Sequence, residues 1–482
     1  MRQIVILGGG FAGTLTAVNL ARLAPGALAI TLVNHGRPVG RGVAYSTHRP
    51  EHLLNVAARN MTALPEFPSH FVEWLRTRTE YAGTPDADLR EAFLPRQVYG
   101  DYVRSLLVHH LGSASGAAGQ HFRIVDGEAV DVRASGRAAE VVLDDGRTLP
   151  AHRVLLATGN ETPATPPGAD ALVDHSAYRP NPWLAWEDRL PPAGGRIVLL
   201  GTGLTTVDAI VTLGAIGWHG SIHAISRHGW LPQSHFKGGD YPDFPPAGVD
   251  LASLGLTALV RLLEEHCEVL RRRGLNPAIV VDKLRPQTQR IWQSLTSAEK
   301  RAFAAEHAAR WNILRHRIAP SIHRQVVAAR DAGRLEVTAG LITGLVPHGA
   351  GVRVHYRGAH GGTAHLDGDL VLNCTGPQSR LSATGSRVLR NLLASGAAAT
   401  DATDLGLHVE PDFAVVDRAG LRSPHLFAIG PLLRGTLWET VAVPELRVQA
   451  LRVAQTLLNE LLPDTAPPFR PLAEAPVIEY QI

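Results

Sequence analysis

Apolar positions along the chain gather in short β-branched runs, each closed by glycine and followed by helical spacing. Gln3 to Leu7 is a short, mainly apolar β-branched run, the pattern of a strand buried on both faces. Gly8-Gly9-Gly10-Phe11-Ala12-Gly13 follows at once. Leu15, Val18, Leu20 and Leu23 then recur at helical spacing until Pro25-Gly26. Ala29 to Val33 predicts the next strand. The order repeats later, with Arg196 to Leu200, then Gly201-Thr202-Gly203-Leu204-Thr205-Thr206, a helix through Val207, Ile210 and Leu213, and a strand over Ser221 to Ile225. Three further strands end at glycine: Val154 to Gly159, Val371 to Gly376 and Leu426 to Gly430. Leu251 to Arg330 has helical spacing, as at Leu259, Leu262 and Leu263. The chain is therefore read as α/β with two Rossmann-type dinucleotide-binding units.

Each glycine of the first loop has a physical job. Gly8 makes the tight turn, Gly10 lets backbone amides approach a pyrophosphate, and Gly13 permits close helix–strand packing. The helix beginning at Phe11 and Ala12 turns the positive end of its dipole toward the phosphates. An acidic residue is expected about 20 residues on, for the ribose hydroxyls, and Asn34 stands there instead. In the second loop, built on Gly201, Gly203, Leu204 and Thr205, the third glycine is replaced by Thr206. The strand after it ends in Ser226-Arg227-His228 with no acid. A hydroxyl and a guanidinium suit the 2′-phosphate of NADP, because arginine offers forked donors to an anion.

Composition narrows the class. The 482 residues, 45% apolar and 19% charged, give a globular balance with length for two or three domains. No uncharged apolar run approaches the roughly 18 residues of a membrane helix, so no membrane role and a cytoplasmic location are expected. The net charge is +3 and the arginines are scattered, which argues against nucleic acid. The two cysteines, Cys267 and Cys374, form no C-x-x-C, which excludes a redox-active disulfide of the thioredoxin-reductase kind. No spaced ligand set predicts a metal.

These strand–glycine segments resemble the two-dinucleotide-binding-domain flavoproteins, in which an FAD domain is interrupted by an NAD(P) domain. Arg41-Gly42-Val43-Ala44-Tyr45-Ser46, His52-Leu53-Leu54-Asn55-Val56, Arg96-Gln97-Val98-Tyr99-Gly100, Arg315-His316-Arg317 and Trp438-Glu439-Thr440-Val441-Ala442-Val443-Pro444-Glu445 narrow the resemblance. They look like the bacterial FAD/NAD(P)-binding proteins of the NAD-binding 9 type. The resemblance implies an FAD domain over 1–160 and 335–482, and an NADP domain over 161–334 with a helical insertion at about 250–330. It also implies FAD contacts at Arg41, Tyr45, Leu54, Thr158, Gly159 and Gly430. The aspartate that follows the last glycine in that family is Pro431 here.

Asp174-His175-Ser176-Ala177-Tyr178 and the stretch around Asn55 further resemble class B flavin monooxygenases and N-hydroxylating amino-acid monooxygenases, including aspartate N-hydroxylases. The implied reaction uses NADPH, FAD and O₂, forms a C4a-hydroperoxyflavin and oxygenates a small polar amine or amino acid. Asn55 and His175 are the candidate catalytic residues. Arg315, Arg317, Arg434, Trp438 and Glu439 are the candidate substrate contacts, since an arginine cluster can clamp a carboxylate. A reductase or oxidase without oxygenation, and a flavin-binding sensor or subunit, stay open as rival readings. The intact second loop speaks against the sensor. A homo-oligomer is also allowed.

Overall fold

The computed structural model describes residues 1–112, 121–136, 138–236 and 238–462, so the predicted C-terminal limit at 482 lies outside the described residues. Two sheets carry the fold. In the first, Arg2–Leu7 is central, flanked in parallel by Leu28–Asn34 and Arg153–Leu156. His121–Asp126 extends one side; Arg422–Ala428 and an antiparallel Ala414–Val416 extend the other. Leu7 sits opposite both Val33 and Leu156, so three strand ends meet at the first glycine loop. The Phe11–Leu23 helix packs against Val443–Leu461 and Arg96–Leu107, burying Leu15, Val18 and Leu20 completely. Ala129–Ser135, Ala138–Leu143 and Thr148–Ala151 form a small antiparallel sheet beside it.

The second sheet has seven strands, with Ser221–Ser226, Arg196–Leu200 and Leu370–Asn373 parallel at its centre. This corrects one predicted boundary. Leu335–His348, Gly351–Gly358, Thr363–Gly368 and Leu370–Asn373 all belong to the second sheet, so the chain does not return to the first unit at 335. It returns near 377, where Pro377 bridges to Pro163 and the Gln378 amide donates to the Thr162 carbonyl at 3.0 Å. The sequence signal was misread because a strand after a helix looks the same whichever sheet receives it.

The helical insertion has its own core. Gly255–Arg272, Ala278–Leu284, Thr288–Ser294 and Ala308–Arg315 bury Leu270, Val280, Trp292 and Trp311 together. The next helix, Pro320–Asp331, instead buries Ile322 and Val326 against the second sheet, so the insertion ends earlier than expected. No described helix is long and apolar enough to cross a membrane.

Candidate active site

The first nucleotide loop is shaped by backbone crowding. Gly8 has φ 117°, and a side chain there would strike the Ala157 carbonyl. A side chain at Gly13 would strike the Gly8 carbonyl, so helix and strand meet without clearance. Gly10, at the helix N-terminus, faces only the Gly42 backbone, at 3.6 Å. Ala12 lies about 4.0 Å from the Cβ position of Gly430, which joins the loop to the end of Arg422–Ala428. Beside it the Thr158 hydroxyl is buried with no hydrogen-bond partner, and the space at Gly159 is open. A buried polar atom without a partner, next to glycines that leave room, fits a bound dinucleotide.

The neighbours of this loop are committed elsewhere. Asn34 donates from Nδ2 to the Arg37 carbonyl at 2.7 Å and packs its amide against Gly9, so it shapes the turn. Arg41 pairs with Asp101. Tyr45 packs on Tyr99 at 4.8 Å, and Leu54 is core. At Gly430 the sequence reading missed two residues. The Thr440 hydroxyl donates to the Gly430 carbonyl at 2.8 Å, and Gln449 Oε1 accepts its N–H at 3.4 Å. Both are buried polar side chains in apolar surroundings, and that contrast was their only signal.

The second loop repeats the first. Gly201 has φ 111°, and a side chain there would strike the Cys374 carbonyl, as at Gly8 and Ala157. Where the third glycine is missing, the Thr206 hydroxyl donates to the Gly201 carbonyl at 2.8 Å, so it knits the turn instead of loosening it. Gly203 leaves open space at the start of Leu204–Ala215. Ser226 Oγ lies 2.7 Å from the Thr202 hydroxyl and accepts the Gly229 N–H. Beyond it Arg227 is exposed, and His228 stacks on Trp230 at 4.5 Å.

Between the units runs a polar seam. Arg96 donates to both oxygens of Asp208 at 2.7 and 3.0 Å and to the Leu53 carbonyl. His52 bridges the hydroxyls of Thr47 and Thr212. Asn55 lines a small cleft here with Arg96, Leu204 and Ile318, and its carbonyl accepts from His235 Nε2 at 2.8 Å. Burial, reinforced by Arg317, pushes His235 down to about 4, so it is a neutral donor. Thr205 faces the seam on the opposite side, with Ser46 and Thr47. His175 is not in this cleft. Its Nδ1 accepts the Ala177 N–H at 3.2 Å in the turn before the edge strand Tyr178–Arg179, which corrects its expected catalytic role to a turn-forming one.

A cavity of about 1240 Å³ lies between the insertion and the C-terminal segment, bordered by Lys283, Arg285, Lys300, Glu439, Gln449 and Arg452. The expected carboxylate clamp is redistributed around it. Arg317 is 3% exposed and makes a fork with Asp282 at 2.7 and 2.8 Å, so it is not available to a substrate. Arg315 stands 3.4 Å from Glu439 and 3.5 Å from Glu445 Oε1, and Arg285 meets the same Glu445 oxygen at 2.7 Å. Burial opposes ionisation of Glu445, but the two arginines prevail and hold it below the usual carboxylate range. Glu439 also accepts from Trp311 Nε1 at 3.0 Å and is therefore a structural acceptor. Trp438 stacks on Trp292 at 4.8 Å inside the insertion core, which corrects its expected place as an open wall. It holds φ 59° and ψ −67°, a costly conformation for a non-glycine residue that persists where packing over-determines it. Arg434 is left. It lies over the Trp438 ring at 4.8 Å, mostly buried, and makes no ion pair among the described residues.

Two nested dinucleotide-binding units of this construction define the fold of the two-Rossmann FAD/NAD(P) flavoproteins. A family model described as FAD–NAD(P)-binding matches residues 5–161, the span from the first loop to its crossing strand. Comparison with curated proteins finds no sequence match. Among solved structures, the chain is similar to ornithine hydroxylase from Pseudomonas aeruginosa in its reduced form, with TM-score 0.65 and 14% identity over 96% of this chain and 100% of that one. It is equally similar to L-lysine 6-monooxygenase from Pseudomonas syringae, with TM-score 0.65, 17% identity and coverage of 96% and 100%. The ornithine N-hydroxylase of Kutzneria, solved with reduced FAD, NADP⁺ and L-ornithine, gives TM-score 0.61 and 17% identity over 95% and 99%. Among the described residues no cluster of His, Cys, Asp and Glu is placed to hold a metal ion.

Proposed function

We propose that this protein is an NADPH-dependent FAD monooxygenase that hydroxylates the nitrogen of a small, anionic amine, with aspartate the first substrate to test. The observation that carries the anionic part is Arg434, a mostly buried guanidinium that makes no ion pair among the described residues and whose desolvation is only partly offset by Glu439. A buried charge left unpaired is costly, and a substrate carboxylate offsets that cost. The reaction part rests on the paired loops and on similarity along nearly the whole chain to enzymes that act on ornithine and lysine.

Gly8, Gly10 and Gly13 would admit the pyrophosphate of FAD, with Thr158, Thr440 and Gln449 the buried polar groups near the loop and Gly430. Gly201 and Gly203 admit that of NADPH, and Arg227 meets its 2′-phosphate. When bound, the two cofactors supply hydride transfer and oxygen activation. The chain supplies position and exclusion of water. Arg434 fixes the substrate carboxylate, the Trp438–Trp292 stack holds Trp438 beneath that guanidinium, and the Asn55 amide offers a hydrogen bond in the cleft between the units.

The test mixes the purified yellow protein with NADPH without oxygen, then adds oxygen and candidate amino acids and follows flavin absorbance and hydroxylamine product. Rapid bleaching by NADPH and a hydroxylated anionic amino acid are expected. Bleaching with only hydrogen peroxide formed, whatever the amine, overturns the monooxygenase reading in favour of a reductase or oxidase.

A further inference from the structure

The first unit holds a second cavity, about 1020 Å³, with Phe67, His70, Trp74 and Arg78 on its border and no residue of the insertion among its lining. Nothing in the reaction above uses it. Its inner wall is one end of a continuous file of aromatic rings. Trp74 lies 5.4 Å from Tyr102, Tyr102 lies 5.6 Å from Tyr99, and Tyr99 lies 4.8 Å from Tyr45 and 6.0 Å from Phe11 in the first nucleotide loop. Tyr99 and Tyr102 sit one helical turn apart on Arg96–Leu107, fully buried, and Trp74 reaches them from His70–Arg76. The file thus runs from the nucleotide loop to solvent, without a gap.

The hydroxyls distinguish the rings. Tyr99 is buried with no hydrogen-bond partner among the described residues, so none of them takes its proton. Tyr102 accepts the Ala63 N–H at 3.3 Å, which leaves its own proton for His70 Nδ1 at 2.9 Å. Burial keeps His70 below its ordinary value, so the imidazole is neutral and ready to accept. Oxidation of a phenol is easy only when its proton departs with the electron. Tyr102 is the ring where both can leave together.

We propose that Tyr45, Tyr99, Tyr102 and Trp74 form an escape route that carries oxidising equivalents from the flavin site to the outer cavity, with the Tyr102–His70 pair as its stopping point. The inference rests on the FAD reading of the first loop but not on the hydroxylation reading. A one-electron oxidant at the flavin site, an oxygen-centred radical in turnover or the photoexcited flavin in the test, takes one electron from Tyr102 through Tyr99 and Tyr45 and is itself reduced by that electron. The phenolic proton passes to His70 Nδ1, giving a neutral tyrosyl radical and an imidazolium. A soluble one-electron donor of the enediol class then delivers an electron by way of Trp74, and the proton returns from His70. Electrons and protons balance over the cycle.

The experiment excites bound FAD in the full-length protein with a blue-light pulse and follows radicals by transient absorption, with ascorbate as the donor. A long-lived tyrosyl signal is expected, shortened by ascorbate. Tyr102→Phe should lower its yield at least fivefold, with flavin absorbance unchanged and melting temperature lowered only slightly. If Tyr102→Phe does not fold, His70→Gln reads the same step and should shorten the radical lifetime about tenfold. Trp74→Leu should keep the radical and lose the ascorbate effect. Equal radical yield and lifetime in the folded Tyr102 or His70 variant and the parent overturns the proposal. Purified protein without flavin absorbance overturns the FAD reading and the route together. Flavin-loaded protein that hydroxylates nothing yet keeps the radical leaves the route standing.

Discussion

Arg317 and Arg434 bring the same charge into neighbouring parts of the molecule and meet opposite fates. The first is consumed by Asp282; the second makes no ion pair among the described residues. Their substitutions should separate cleanly. Arg317→Ala leaves a buried carboxylate uncompensated and should cost about 3–5 kcal/mol in denaturant unfolding. Replacing Arg317 and Asp282 together by leucine should restore most of that. Arg434→Ala should raise KM for the anionic substrate at least a hundredfold while NADPH still bleaches the flavin at the parent rate. An unchanged KM removes Arg434 from the substrate site. Arg227→Ala should weaken NADPH by tenfold or more and leave NADH nearly untouched, as read by reduction kinetics with each nucleotide; equal loss of both rejects the 2′-phosphate contact.

Elements were more legible than the roles of single side chains. A buried strand followed by glycines and a helix has few alternatives, because only backbone without side chains fits where Gly8 meets Ala157 and Gly201 meets Cys374. Both loops were therefore readable from spacing. Asp282 could not be assigned to Arg317, since ion-pair partners 35 positions apart leave no periodic trace. Thr440 and Gln449 were hidden for the same reason: their burial is a tertiary fact. The receiving sheet of Leu335–His348 was equally invisible. Thr206 offers a test at this scale. Thr206→Val keeps the volume but leaves the Gly201 carbonyl without its donor, so it should lower stability by about 1–2 kcal/mol and weaken NADPH, while FAD content stays constant.

At the scale of the molecule, the two units are held by buried polar contacts, and acid should loosen them. His235 and His316 are both partly buried, pushed down to about 4 and about 3 mainly by desolvation. The unfolded chain, with histidine near 6.5, binds protons that the folded chain refuses. Stability therefore rises with pH between about 4 and 6.5 and is fully present above that window. Melting temperature measured across this range should fall toward acid, and His235→Gln should flatten the slope. An unaltered slope would show that His235 is not among the groups responsible.

The contact between Pro163 and Pro377 has one more implication. The polypeptide leaves the first unit and re-enters it through a single doorway, so everything between these prolines is topologically a cassette. Insertion at one point of an ancestral gene produces such an arrangement in a single event, and the reverse excision leaves two ends already adjacent. Exchange of the cassette among relatives is then a route by which nucleotide preference and the insertion's side of the substrate chamber travel together, while the flavin scaffold, with Arg434, stays behind.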